Sequence, residues 1–167
     1  HAAIAYPSAL LGHHFVHEGM QDPDVEAWLK ALMRAEVIPV LPEIGGVDFD
    51  AYLEKCVERF GNPEVGDTIA RLCLDGSNRQ PKFVLPTVRE ALAAGSAVQG
   101  LALEVALWCA YCAETTKGAI KLEDERAEAL QAAALKAQTE PSAFLALTDI
   151  FGRLGETPRF VEAFAAA

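Results

Sequence analysis

Two arginines, Arg71 and Arg79, stand on either side of the turn signal Asp75-Gly76-Ser77-Asn78. Each guanidinium carries a planar fork of fixed donors, suited to gripping a carboxylate or the hydroxyls of a polar ligand. The plainer reading of Arg71 is a surface ladder, because Asp67, Arg71 and Asp75 recur at i,i+4 and such exposed pairs contribute only about 0.3–0.5 kcal/mol each. A second set, His13, His14, His17 and Glu18, could share a helix face and bind a metal. It lacks the order of a HExxH motif and no second ligand cluster follows, so surface or interface histidines are the simpler account. Cys109 and Cys112 form a CxxC, but redox pairs of this spacing open a helix after a strand. Here the pair falls inside an apolar run, where cysteines act as small buried hydrophobes.

The elements that must position these groups are helical. Ile4, Leu10, Leu11, Phe15 and Val16 give His1–Met20 an apolar side, with Pro7 in its first turn or at a kink. Asp22-Pro23 caps a helix running to about Arg34, and Val25, Trp28, Leu29 and Leu32 face inward. After the Pro- and Gly-broken loop IPVLPEIGG, Asp48 restarts a helix with the stripe Phe49, Tyr52, Leu53, Cys56 and Phe60. Asn62-Pro63 starts the next, expected to reach Asp75 with Val65, Ile69, Leu72 and Cys73 on one face and Gly76 closing it in the left-handed conformation. Pro86–Ala94 is a short helix ended by Gly95. Leu101–Glu114 is the candidate central buried helix. Leu122–Gln138, a segment from Pro141 to about Leu154, and a last one from Pro158 complete an all-α fold with no convincing strand.

The chain has 167 residues, 51% of them hydrophobic, enough for one domain with a substantial core. Its net charge of −10 argues against nucleic-acid or anionic-membrane partners, which want a basic surface. No apolar run reaches the ~18 residues of a membrane span, no export leader is visible, and a cytoplasmic location with free thiols is expected. A start at His1 without Met reads as a piece of a longer polypeptide, a tag remnant being the competing explanation.

The run NPEVGDTIARLCLDGSNRQPKFVLP, from Asn62 to Pro86, resembles the C-terminal domain of the polyol-specific long-chain dehydrogenases, the mannitol 2-dehydrogenase family. The pattern carried is N-P-x-[IV]-x-D-x-x-x-R, then D-G-S-x-[KR], then P-K-F-x-x-P. The opening HAAIAYPSALLGHHFVHEGMQDP is similar to the segment that follows the family's catalytic lysine and asparagine, and the likeness extends over nearly all of the chain, more strongly up to about Gly95. The resemblance implies an all-α C-terminal substrate-binding domain over 1–167, with NAD or NADP held by a separate N-terminal Rossmann domain absent here, and with no metal. It implies hydride transfer between a polyol or ketose of the mannitol/fructose type and the nicotinamide. His1 matches the histidine that orients the reacting oxygen, and Arg71 the substrate arginine. Arg79 falls where the family commonly has lysine, and both arginines would grip hydroxyls distant from the reacting carbon. Lysine base and supporting asparagine would precede His1, so the chain alone is expected to be inactive. A uronate reductase of the fructuronate type, a stand-alone helical binding module, and a metal or redox protein built on the histidines and CAYC are the alternatives.

Overall fold

A computed structural model describes residues 1–167. The chain is helical throughout, and its only β-type pairing is an isolated antiparallel bridge between Phe15 and Thr68. The first helices are α1 (Ala2–Leu10), α2 (Val16–Gln21) and α3 (Pro23–Leu32). The single helical segment expected over His1–Met20 is therefore two. Gly12 takes φ 84, and the freed backbone finds partners elsewhere: Val16 N donates to Asp67 O and Ile69 N to His14 O, both at 2.9 Å. Asp22 caps α3 through its bond from Asp24 N, and Val25, Leu29 and Leu32 are buried as expected.

α3 runs on into a π-helical turn, Met33–Val37, that buries Glu36. The Glu36 carboxylate accepts from Gly100 N at 2.7 Å and Leu101 N at 2.8 Å. It thereby caps the long central helix from a distant point in the sequence, where no local side chain caps it.

Asp48 caps α4 (Phe49–Phe60), but only Leu53 of its expected stripe is buried, and Tyr52 is 63% exposed. The stripe has helical period; the helix simply lies at the edge of the domain. A larger departure follows. Instead of one helix from Asn62 to Asp75, Pro63–Val65 forms a 3-10 turn, Gly66 goes left-handed at φ 62, and Thr68 caps a short α5 (Ile69–Cys73). Val65 is exposed in consequence.

Asp75, not Gly76, is left-handed, with φ 55. Gly76 begins α6 (Gly76–Arg79), where the reason for glycine is space: a Cβ there would sit 2.6 Å from Trp108 Nε1 and 3.1 Å from the Tyr6 hydroxyl. A second π-helical turn, Gln80–Val84, leads to α7 (Leu85–Ala93), and Gly95 at φ 70 ends it as expected.

The central helix is α8 (Gln99–Thr115), with Leu101, Val105, Trp108 and Cys112 inside. α9 (Ala127–Ala137) begins later than expected from Leu122. The expected Pro141–Leu154 helix is broken into α10 (Ser142–Leu145), α11 (Thr148–Phe151) and a 3-10 turn at Leu154–Glu156, before α12 (Pro158–Ala166). α8 packs against α1, α9 and α12. One continuous cluster of 34 buried residues runs through all of these, so the chain has one core. No helix is long and apolar enough to cross a membrane.

Candidate substrate site

The residues singled out by sequence converge on two adjoining cavities. The larger, about 430 Å³, is lined by His1, Tyr6, Arg79, Gln80 and Glu104 among apolar neighbours that include Leu72, Phe83 and Leu101. The smaller, about 120 Å³, is lined by His1, His17, Arg59, Asn62, Asp67 and Arg71. His1 borders both. Its ring lies 4.8 Å from that of Phe60, tilted at 59°.

Arg71 sits on α5 with its Nε 2.5 Å from Asp67 Oδ1 and its Nη2 bonded to Asp67 Oδ2. Part of the ladder thus exists, and Asp75 is not in it. The guanidinium beside Asp67 holds that carboxyl below its ordinary range. Asp67 uses one edge of the fork, so the donors on the other edge remain for a ligand.

Arg79 is placed by the turn before it. Asp75 N donates to Glu123 O at 3.0 Å, and Ser77 donates to Asp124 from both its N (2.8 Å) and its Oγ (2.7 Å). Asn78 Nδ2 reaches Glu125 Oε1 at 3.0 Å. The Asp-Gly-Ser-Asn turn is stitched residue by residue onto 123–125, which fixes where Arg79 and Gln80 emerge. Arg79 Nη1 then donates to Leu72 O at 2.8 Å and Arg71 O at 3.3 Å, satisfying carbonyls at the end of α5. One arginine therefore holds the backbone of the other.

Sequence reasoning missed Tyr6, Gln80 and Glu104. Gln80 and Glu104 are 1% and 2% exposed, and Gln80 Nε2 donates to Glu104 Oε1 at 2.7 Å. Gln80 Oε1 and Glu104 Oε2 have no partner. Burial pushes the Glu104 carboxyl up to about 7, against the bond from Gln80 that pulls it down. The signal was present: Glu104 is the one charged residue between Leu101 and Ala113, in the most apolar stretch of the chain.

The histidine cluster is otherwise engaged. His13 Nε2 lies 2.9 Å from Asp22 Oδ2, and Glu18 Oε2 accepts from His14 N and Phe15 N at 2.8 Å, closing the start of α2. No three His, Cys, Asp or Glu side chains come together as a metal site. Cys109 and Cys112 are buried free thiols in α8, as expected of small hydrophobes; burial pushes Cys109 up to about 12 and raises Cys112 further. With no strand, the chain has no β–turn–helix unit to cradle a dinucleotide pyrophosphate.

An all-α domain whose polar groups converge on two adjoining cavities, one histidine bordering both, is the class that fold and site define. The mannitol dehydrogenase C-terminal domain matches residues 1–167, and the chain belongs to that family, the one its Asn62–Pro86 pattern resembles. It is 44% identical over 169 residues to mannitol 2-dehydrogenase of Cereibacter sphaeroides, covering 100% of this chain and 35% of that protein. Mannitol 2-dehydrogenase of Aspergillus niger is 36% identical over 154 residues, covering 91% and 32%. Among solved structures, Pseudomonas fluorescens mannitol 2-dehydrogenase in ternary complex with NAD and D-mannitol superposes with a TM-score of 0.89 at 34% identity, covering 99% of this chain and 34% of that one. A substrate-free D-sorbitol dehydrogenase, at 20% identity and a TM-score of 0.82, shares the fold. The chain spans about a third of the length of these relatives.

Proposed function

We propose that this chain is the substrate-binding part of an NAD(P)-dependent polyol 2-dehydrogenase acting between a mannitol-type polyol and its ketose. The observation that carries the reading is the meeting of His1, Arg71 and Arg79 around adjoining cavities, in a chain 44% identical along its whole length to a mannitol 2-dehydrogenase. Oxidising a secondary alcohol requires a base for the hydroxyl proton while hydride leaves the carbon, and donors to hold the oxygen as its charge changes. The nicotinamide, bound by residues outside this chain, supplies the hydride acceptor. His1, at the border of the two cavities, hydrogen-bonds and orients the reacting oxygen. Arg71, steadied by Asp67, and Arg79, anchored on the α5 carbonyls, grip hydroxyls farther along the polyol. Binding energy at that end holds the reacting carbon in place for transfer.

The base is a lysine preceding His1, by resemblance to the family, so residues 1–167 alone turn over no polyol. In the complete polypeptide, Arg71→Ala should raise KM for mannitol and lower kcat/KM about tenfold or more, on the order of 1.4 kcal/mol. Steady-state kinetics of the two proteins reads this directly. An unchanged kcat/KM would leave Arg71 as nothing more than the partner of Asp67.

A further inference from the structure

We infer that Gln80 and Glu104 form a hydroxyl-reading contact in the lining of the larger cavity, one that selects a neutral polyhydroxy chain over a sugar acid. The inference rests on the proposed function and names the substrate class of that site. Two oxygens carry it. Gln80 Oε1 and Glu104 Oε2 are each buried without a hydrogen-bond partner, on side chains that line the cavity shared with His1 and Arg79. A native core seldom leaves two such atoms side by side, because each orphaned group costs about 1–3 kcal/mol.

A ligand hydroxyl suits both atoms. It donates to the amide oxygen, which can only accept, and it donates to or accepts from a carboxyl according to that group's protonation. A carboxylate ligand suits neither: it brings no donor for Gln80 Oε1 and sets a second negative group against Glu104. The Glu104 carboxyl makes its one side-chain hydrogen bond with Gln80 and takes part in none of the chain's ion pairs. The nearby arginine, Arg79, has Nη1 committed to the carbonyls of Leu72 and Arg71. This part of the lining thus suits hydroxyls, with the Asp75–Asn78 turn fixing Gln80 in register and α8 fixing Glu104.

The test compares the complete wild-type polypeptide with Glu104→Gln and with Gln80→Met, on mannitol, a set of singly deoxygenated hexitols, and the corresponding uronate. Wild type should lose at least about tenfold in kcat/KM for the deoxyhexitol that lacks the hydroxyl read by the pair, and should disfavour the uronate. Glu104→Gln keeps shape and an acceptor for Gln80 Nε2, so it folds; it should raise KM for mannitol severalfold with kcat within about twofold. Against that one deoxyhexitol the gap between wild type and either variant should close. A role confined to packing would weaken all substrates alike, and equal losses across the set, or an unchanged KM, overturn the inference. So does a wild type that prefers the uronate, while leaving the dehydrogenase reading standing. Absence of any polyol turnover by the wild type overturns the proposed function, and this inference with it.

Discussion

Glu104 is the residue at which chemistry and stability meet. Its carboxyl stands at about 7 in the folded chain against an ordinary 4.5, because burial penalises the charged form more than the Gln80 bond favours it. The folded state therefore holds this proton more tightly than the unfolded state does. That contribution to stability is complete below about pH 4.5 and is lost as pH rises through about 7, with a full size on the order of 3 kcal/mol. Asp67 and Asp22 act in the opposite sense: Arg71 depresses the first and His13 the second, so what they add is present above their unfolded values and lost in acid. Urea unfolding of wild type and Glu104→Gln at pH 5.5 and 8.5 separates the two effects, since only Glu104 differs between the proteins. The variant should gain on wild type by on the order of 2 kcal/mol across that interval. A constant difference would mean that Glu104 titrates alike folded and unfolded. At this scale the motif with several fixed positions pointed to His1, Arg71 and Arg79, and all three line the cavities. The sequence was opaque for Gln80, whose neighbour across the cavity lies in another helix, and half legible for Glu104, whose charge stands out in an apolar run but whose partner does not.

Among the elements, the short α6 and the turn before it do most to position the site. Asp124 accepts from Ser77 N, Ser77 Oγ and Arg126 N, so one carboxylate ties the turn carrying Arg79 and Gln80 to the loop before α9. Asp124→Ala should cost about 1–3 kcal/mol, because it leaves a buried Ser77 hydroxyl and amide without acceptors. In the complete polypeptide it should also raise KM for the polyol more than it lowers kcat, since Asp124 lines neither cavity and acts only through the placement of Arg79 and Gln80. A loss of stability with KM unmoved would show that the turn keeps its position without this tie. Caps and breakers made the long elements readable: Asp22-Pro23, Asp48 and Gly95 each mark an observed boundary. The misreadings share a cause. At Leu11–Phe15 and at Gly66–Thr68 helical periodicity continued through the sequence, but the two backbones pair with each other, and such a long-range exchange has no local signature.

Across the whole molecule, Trp108 joins the first helix to the last ones. Fully buried in α8, it lies 6.4 Å from the Tyr6 ring in α1, 5.1 Å from Phe144 in α10 and 6.0 Å from Phe151 in α11. The first and last parts of the chain thus share one aromatic centre. The apolar character of Leu101–Glu114 made the central helix legible, but nothing in the sequence told which aromatics would meet on it. A core of this kind gives neither half a separate hydrophobic interior. Unfolding should be a single cooperative transition, so near-UV circular dichroism from the aromatic centre and far-UV circular dichroism from the helices should share one urea midpoint. Trp108→Ala should lower both midpoints together, by about 3–5 kcal/mol in stability, because the cavity it leaves opens to helices from both ends of the chain. If the near-UV signal of wild type were instead lost first, with most helical signal retained, α9 to α12 would be a separable unit docked on α8. The cavities framed by α1, α5 and α6 could then survive its loss, whereas a shared transition ties their shape to the packing of the last helices.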